Sequence, residues 1–186
     1  MFEGNGFTVR KVTKEQLRDP ETKDRFQKLY NHVNSERSRV IDSALKIENT
    51  LTIVILHTIV GKDYSRHRLL RTLVFEAESC SFMQLRKMLS LIFELFRDKI
   101  DVLTDSESKV LRRNLNDIIT FRNMFAHGQI VIDAPTNDVL ITHYQGGPKE
   151  TVVTVELIDE YIVKCIEVDT SLKTLNDYFK VNRIEY

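Results

Sequence analysis

Glycine and proline are scarce, at 6 and 3 in 186 residues. Chains that turn every few residues need both, so an all-β sandwich is disfavoured and long helices are expected. Cysteine is scarcer still. Cys80 and Cys165 form no CxxC pair and no disulfide framework, which predicts a reducing, cytoplasmic setting. An excess of charge of one sign is also lacking, because 27 Lys and Arg balance 27 Asp and Glu. Composition therefore neither requires nor excludes nucleic acid. Long hydrophobic runs are missing too. The strongest candidate, LTIVILHTIV from Leu51 to Val60, contains His57 and falls short of the roughly 18 residues of a membrane span, so a buried helix segment and no membrane are expected. The opening MFEGNGFTVRKVTKEQ has no apolar core and is not expected to be a signal peptide.

What is present suits one domain with a real core: 42% of residues are hydrophobic and 29% charged. The zero net charge hides an asymmetry. Residues 1–130 carry 22 basic and 17 acidic side chains, whereas 131–186 carry 5 and 10. A basic front and acidic back offer a polyanion-binding face, or let two parts of one chain attract each other.

Residues 1–19 read as an extended N-terminal arm with TVRKV as a short strand, ahead of a single domain over 20–182. Pro20 suits a first helical turn. From about Glu21 to Ile59 apolar residues recur three and four apart, which predicts one long helix or two broken near Asn34 and Ser35, with Gly61 as the stop. A short helix is expected in KDYSRHRLLRTLVF and another over 82–99. Thr104 to Glu107 form a capping box, opening a helix whose buried side runs through Leu111, Leu115, Ile118, Ile119 and Phe125 to Gly128. The period then switches to two. Residues 129–133, 139–144 and 151–155 read as three strands, and a last helix covers about 156–179. The expected fold is mainly α, an antiparallel helical bundle with a small β-meander inserted at about 129–155, before the last helix.

No two of the five histidines lie three or four residues apart and neither cysteine has a near partner, so no metal is expected. A phosphate-binding glycine loop and a Gly-x-Ser-x-Gly elbow are also absent. His57 reads as a core histidine and His67 as part of an exposed basic turn. The segment Phe121–Gly128, FRNMFAHG, is different. It sets a permanent cation, an amide and an imidazole at one helix end. Arg122 and His127 are about 140° apart on an ideal helix, so they share a site only if the last turn opens or the Arg side chain reaches across. An arginine for phosphate charge and a histidine that changes charge near neutral pH are what metal-free phosphodiester cleavage uses. The bland alternative is a salt-bridged Arg with a capping His.

FRNMFAHG resembles the signature of the HEPN superfamily, the higher eukaryotes and prokaryotes nucleotide-binding domain: an Arg followed by a polar residue, then a His four to six positions on, at the end of a bundle helix. Arg122, Asn123 and His127 fill those positions. The run from Glu36-Arg37 through Leu51 also resembles the first helix of bacterial HEPN proteins, and the resemblance spans about residues 30–180. It implies an endoribonuclease without cofactor, toxin-like or defence-like, whose composite site forms when two copies bring their Arg/His motifs together. Arg122 would hold the phosphate, His127 would act as base or acid with its dimer mate in the other role, and Asn123 would orient one of them or contact the phosphate. An antitoxin or regulatory protein is a further partner the resemblance implies. Gln129 stands where many HEPN toxins carry a Tyr, so inactivation through that tyrosine is not expected. The alternative is a non-catalytic regulatory or protein-binding module, similar to the mannitol-operon repressor group.

Glu48 stands out independently. It falls on the apolar stripe 41, 44, 48, 51, 55, where a carboxylate is costly without a partner. Arg37 and Arg122 are the candidates. Either Glu48 orients Arg122 through an ion pair, or it joins the active site.

Overall fold

The computed structural model of the protein describes residues 2–4, 6–75 and 80–182. Six helices dominate it: α1 (Lys14–Arg18), α2 (Pro20–Val60), α3 (Tyr64–Leu70), α4 (Phe82–Leu95), α5 (Asp105–His127) and α6 (Val155–Val181). α3 runs on into a π-helical turn over Arg71–Phe75. The described residues also hold five short strands: β1 (Phe2–Gly4), β2 (Phe7–Arg10), β3 (Gln129–Asp133), β4 (Val139–Tyr144) and β5 (Pro148–Val152). They form one sheet in the order β1-β2-β3-β4-β5. The mainly helical class and the small sheet ahead of the last helix are thus as expected.

α2 is one unbroken helix through Asn34 and Ser35, and Gly61 (φ +63°) ends it in the left-handed conformation that glycine adopts without strain. The third strand lies three residues earlier than the alternation in 151–155 suggested. Antiparallel register with β4 pairs Leu140 with Val152 and Tyr144 with Pro148. Thr154 then leaves the sheet, and its Oγ1 accepts the Leu157 N–H at 3.1 Å at the start of α6. α4 also stops short of Lys99, because Phe96 departs from helical backbone (φ −120°).

Residues 1–19, expected as an extended arm, hold more structure than one strand, although Met1 and Asn5 lie outside the described residues. β1 and β2 form a hairpin, and β2 runs parallel to β3, Phe7 beside Ile130 and Val9 beside Ile132.

The chain divides into two compact units, residues 1–42 with 120–162 and residues 43–119 with 163–186. In the first, Phe7, Val9, Ile130, Ile132 and Val139 present one sheet face to Phe26 and Val33 of α2. Tyr30 stacks on Phe7 with ring centroids 4.9 Å apart. Arg10 and Lys11 meet the buried Asp133 at 3.0 and 2.8 Å, and Arg10 also meets Glu150 at 2.8 Å. In the second unit, Leu51 and Ile55 of α2, Leu89 of α4, Leu115 of α5 and Leu172 of α6 are fully buried. Thr50 donates to Asp169 (3.2 Å), which also pairs with Lys46 and Lys173. In both units, basic residues from the front of the chain thus pair with acidic residues from its back. That is the attraction the charge asymmetry allowed.

Among the described residues, one helix is long and apolar enough to cross a membrane by length and composition: α2 holds an 18-residue window of mean hydropathy 1.3, half of it buried in the structure.

Candidate functional site

The site begins with how α5 starts and ends. Glu107 Oε2 accepts the Thr104 backbone N–H at 2.7 Å, and Thr104 Oγ1 accepts the Glu107 N–H at 3.2 Å, so the capping box forms. The helix then runs without a break to His127. Its last turns bury Met124 and Phe125 and leave Asn123 and His127 exposed. Phe121 stacks on Tyr161 of α6 with centroids 4.5 Å apart, and the Tyr161 hydroxyl donates to the Val40 carbonyl. This terminus is therefore held on its apolar side and open on its polar side.

Gly128 follows. A Cβ there would strike Ile141 Cγ2, stand 2.5 Å from the Met124 carbonyl oxygen and come within 3.2 Å of the Thr142 carbonyl oxygen. Only glycine lets the end of α5 lie this close to β4. Arg37 of α2 clamps the same junction, its Nη2 donating to the Gly128 carbonyl at 2.6 Å.

Between the helix end and the strand lies a groove of about 440 Å³. Thr120, Asn123, Met124 and His127 line it from α5, and His143, Tyr144 and Gln145 from β4 and the residue after it. Positions 120, 123, 124 and 127 are one face of a helix. Arg122 is not among these lining residues. It is half-buried, and its Nη1 donates to Asn123 Oδ1 at 3.1 Å. Its Nε is buried, with no hydrogen-bond partner among the described residues. So the structure places His127 and Asn123 in one groove and ties Arg122 to it through Asn123, without opening the last turn.

Glu48 lines a different groove. It belongs to the second unit, half-buried in a shallow groove with Leu45, Asn49, Thr52, Arg71, Phe75 and Leu85. The buried stripe of α2 passes through Ala44, Ile47, Leu51, Val54 and Ile55, so Glu48 sits at its margin rather than on it. Arg37, one of its expected partners, uses its guanidinium on Gly128 instead.

His57 is the core histidine its sequence context suggested, its Nδ1 2.6 Å from Asn176 Oδ1. His67 is part-buried, with Nε2 2.6 Å from the Gly61 carbonyl oxygen. Sequence reasoning missed His143 and Tyr144. No helical or strand spacing links them to His127, and only the placement of β4 against the end of α5 does so. Among the described residues, no three His, Cys, Asp or Glu side chains gather as a metal-binding group. Comparison with family models, curated proteins and solved structures finds no match to this chain.

Proposed function

We propose that this chain is a cytoplasmic, metal-independent endoribonuclease of the HEPN type, acting in a toxin-like or defence-like role as a homodimer. The observation that carries the proposal is that His127 and Asn123 open on one groove while Arg122 is hydrogen-bonded to Asn123. The mainly helical fold with a small sheet before the last helix agrees with the layout the motif suggested.

In this reaction a base takes the proton from a ribose 2′-hydroxyl, and the 2′ oxygen forms a bond to phosphorus. The bond to the 5′ oxygen breaks, and an acid protonates that leaving oxygen. The products are a 2′,3′-cyclic phosphate and a 5′-hydroxyl. His127 supplies one proton transfer. Arg122 stabilises charge that builds on the phosphoryl oxygens, where its guanidinium fork offers two parallel donors. Its Nε has no hydrogen-bond partner among the described residues, which leaves that donor for a phosphate once the side chain swings out from Asn123. A two-fold homodimer would bring a second Arg122 to the same strand of RNA.

Cleavage of a labelled RNA by the wild-type chain tests the proposal, read beside His127→Ala, Arg122→Ala and Arg122→Lys. Both alanine variants should lose about 10²–10⁴-fold in rate. Lysine should recover little, because it has no planar fork. EDTA should change nothing. Cleavage that survives in His127→Ala, or stops with EDTA, would reject the assignment and leave the regulatory-module alternative.

A further inference from the structure

We propose that His143 is the second proton-transfer group of this site, supplied by the same protomer as His127. This rests on the ribonuclease reading above and changes where its second imidazole comes from. Transesterification needs both a base and an acid. The Arg-Asn…His motif offers one imidazole, which is why a second copy of the chain was expected to supply the other. The groove already contains two.

His127 enters it from the last residue of α5 and His143 from β4. The close approach at Gly128 holds these elements together, since no side chain separates the helix end from Ile141 and Thr142. Sheet register places His143 opposite Lys149 of β5. His143 Nε2 lies 3.2 Å from Thr151 Oγ1. A hydroxyl both donates and accepts, so it suits an imidazole that must be neutral at one step and protonated at the next. A carboxylate partner would favour one state only. Tyr144, 81% exposed at the rim, offers a ring on which a base can stack. The imidazoles of the second unit have other contacts, His57 with Asn176 and His67 with the Gly61 carbonyl.

In one turnover, one imidazole takes the 2′-hydroxyl proton as the 2′ oxygen bonds to phosphorus. The other, protonated, gives its proton to the 5′ oxygen as that bond breaks. Each ends in the other's starting state, and exchange with water resets both.

The test uses the full-length protein with His143→Ala and, in case that variant misfolds, His143→Asn, which keeps a polar group within reach of Thr151. Each is assayed on RNA and on a substrate whose leaving 5′ oxygen is replaced by sulfur, a leaving group that needs no acid. On ordinary RNA both variants should lose about 10²–10⁴-fold. On the thio substrate, whichever of His127→Ala and His143→Ala lacks the acid should recover most of its rate, and the other should not. Mixing His127→Ala with His143→Ala should restore nothing, because neither protomer holds both groups. A folded His143 variant within about tenfold of wild type, while His127→Ala is dead, overturns the role of His143 and leaves the ribonuclease reading standing. Activity regained on mixing overturns the single-protomer placement. A wild-type chain that cleaves no RNA overturns both proposals together.

Discussion

Arg122 and His127 point about 140° apart around α5, and Asn123 makes up the difference. Its amide lies on the His127 side of the helix and accepts from Arg122 Nη1. The arginine is thereby parked beside the groove with one buried N–H unused. Residue chemistry of another kind governs His57. Burial holds its pKa below the ordinary 6.5, while the contact with Asn176 Oδ1 pulls the other way. An unfolded chain takes up the proton at the ordinary value, so it binds more protons than the folded chain at mildly acidic pH. The stabilising effect is complete above about pH 6.5 and is lost as pH falls toward the depressed folded value. Urea midpoints should therefore drop between about pH 7.5 and 5.5. In His57→Gln that drop should be smaller, and an equal drop in both proteins would count against His57 as its source.

At the scale of elements, the decisive contact is the end of α5 against β4. Gly128 permits it and Arg37 ties it to α2. Gly128→Ala should force the helix end away from Ile141 and the Met124 carbonyl, at a cost of about 1–3 kcal/mol as overpacking. Chemical denaturation measures that loss. RNA cleavage at a temperature where the variant is fully folded should fall as well, because His127 and His143 no longer share one groove. Full activity in a destabilised Gly128→Ala would show that the close approach serves stability alone. The strand β2 makes a second lesson. Its residues 7–10 pair with 130–133, a contact between segments more than a hundred residues apart. TVRKV reads as a strand from its own residues, but nothing local names its partner.

For the whole molecule, the prediction is assembly. Each protomer offers one Arg122, and the proposed reaction gains a second phosphate contact if two copies meet with their α5 ends near a two-fold axis. Sedimentation at micromolar concentration should give a dimer. A strict monomer that still cleaves RNA would remove the dimer from the mechanism and leave the His127–His143 pair sufficient.

Sequence alone determined the long helices, because each carries its own signals, whereas the short α1 fell inside the segment expected as an extended arm. Pro20 opens α2 and Gly61 closes it, Thr104 and Glu107 cap α5, and apolar residues three and four apart mark every long helix. These are interactions within a few residues, so the order of amino acids suffices to read them. The same holds for the order Arg122, Asn123, His127. The tertiary structure decided what those residues face. It set Glu48 at the margin of the α2 stripe, aimed Arg37 at the Gly128 carbonyl, added β2 to the sheet and lined one groove with both His127 and His143. Each of these depends on groups far apart in the chain meeting in space. Such meetings follow from how faces pack and where a missing side chain lets backbones approach, which no local spacing records.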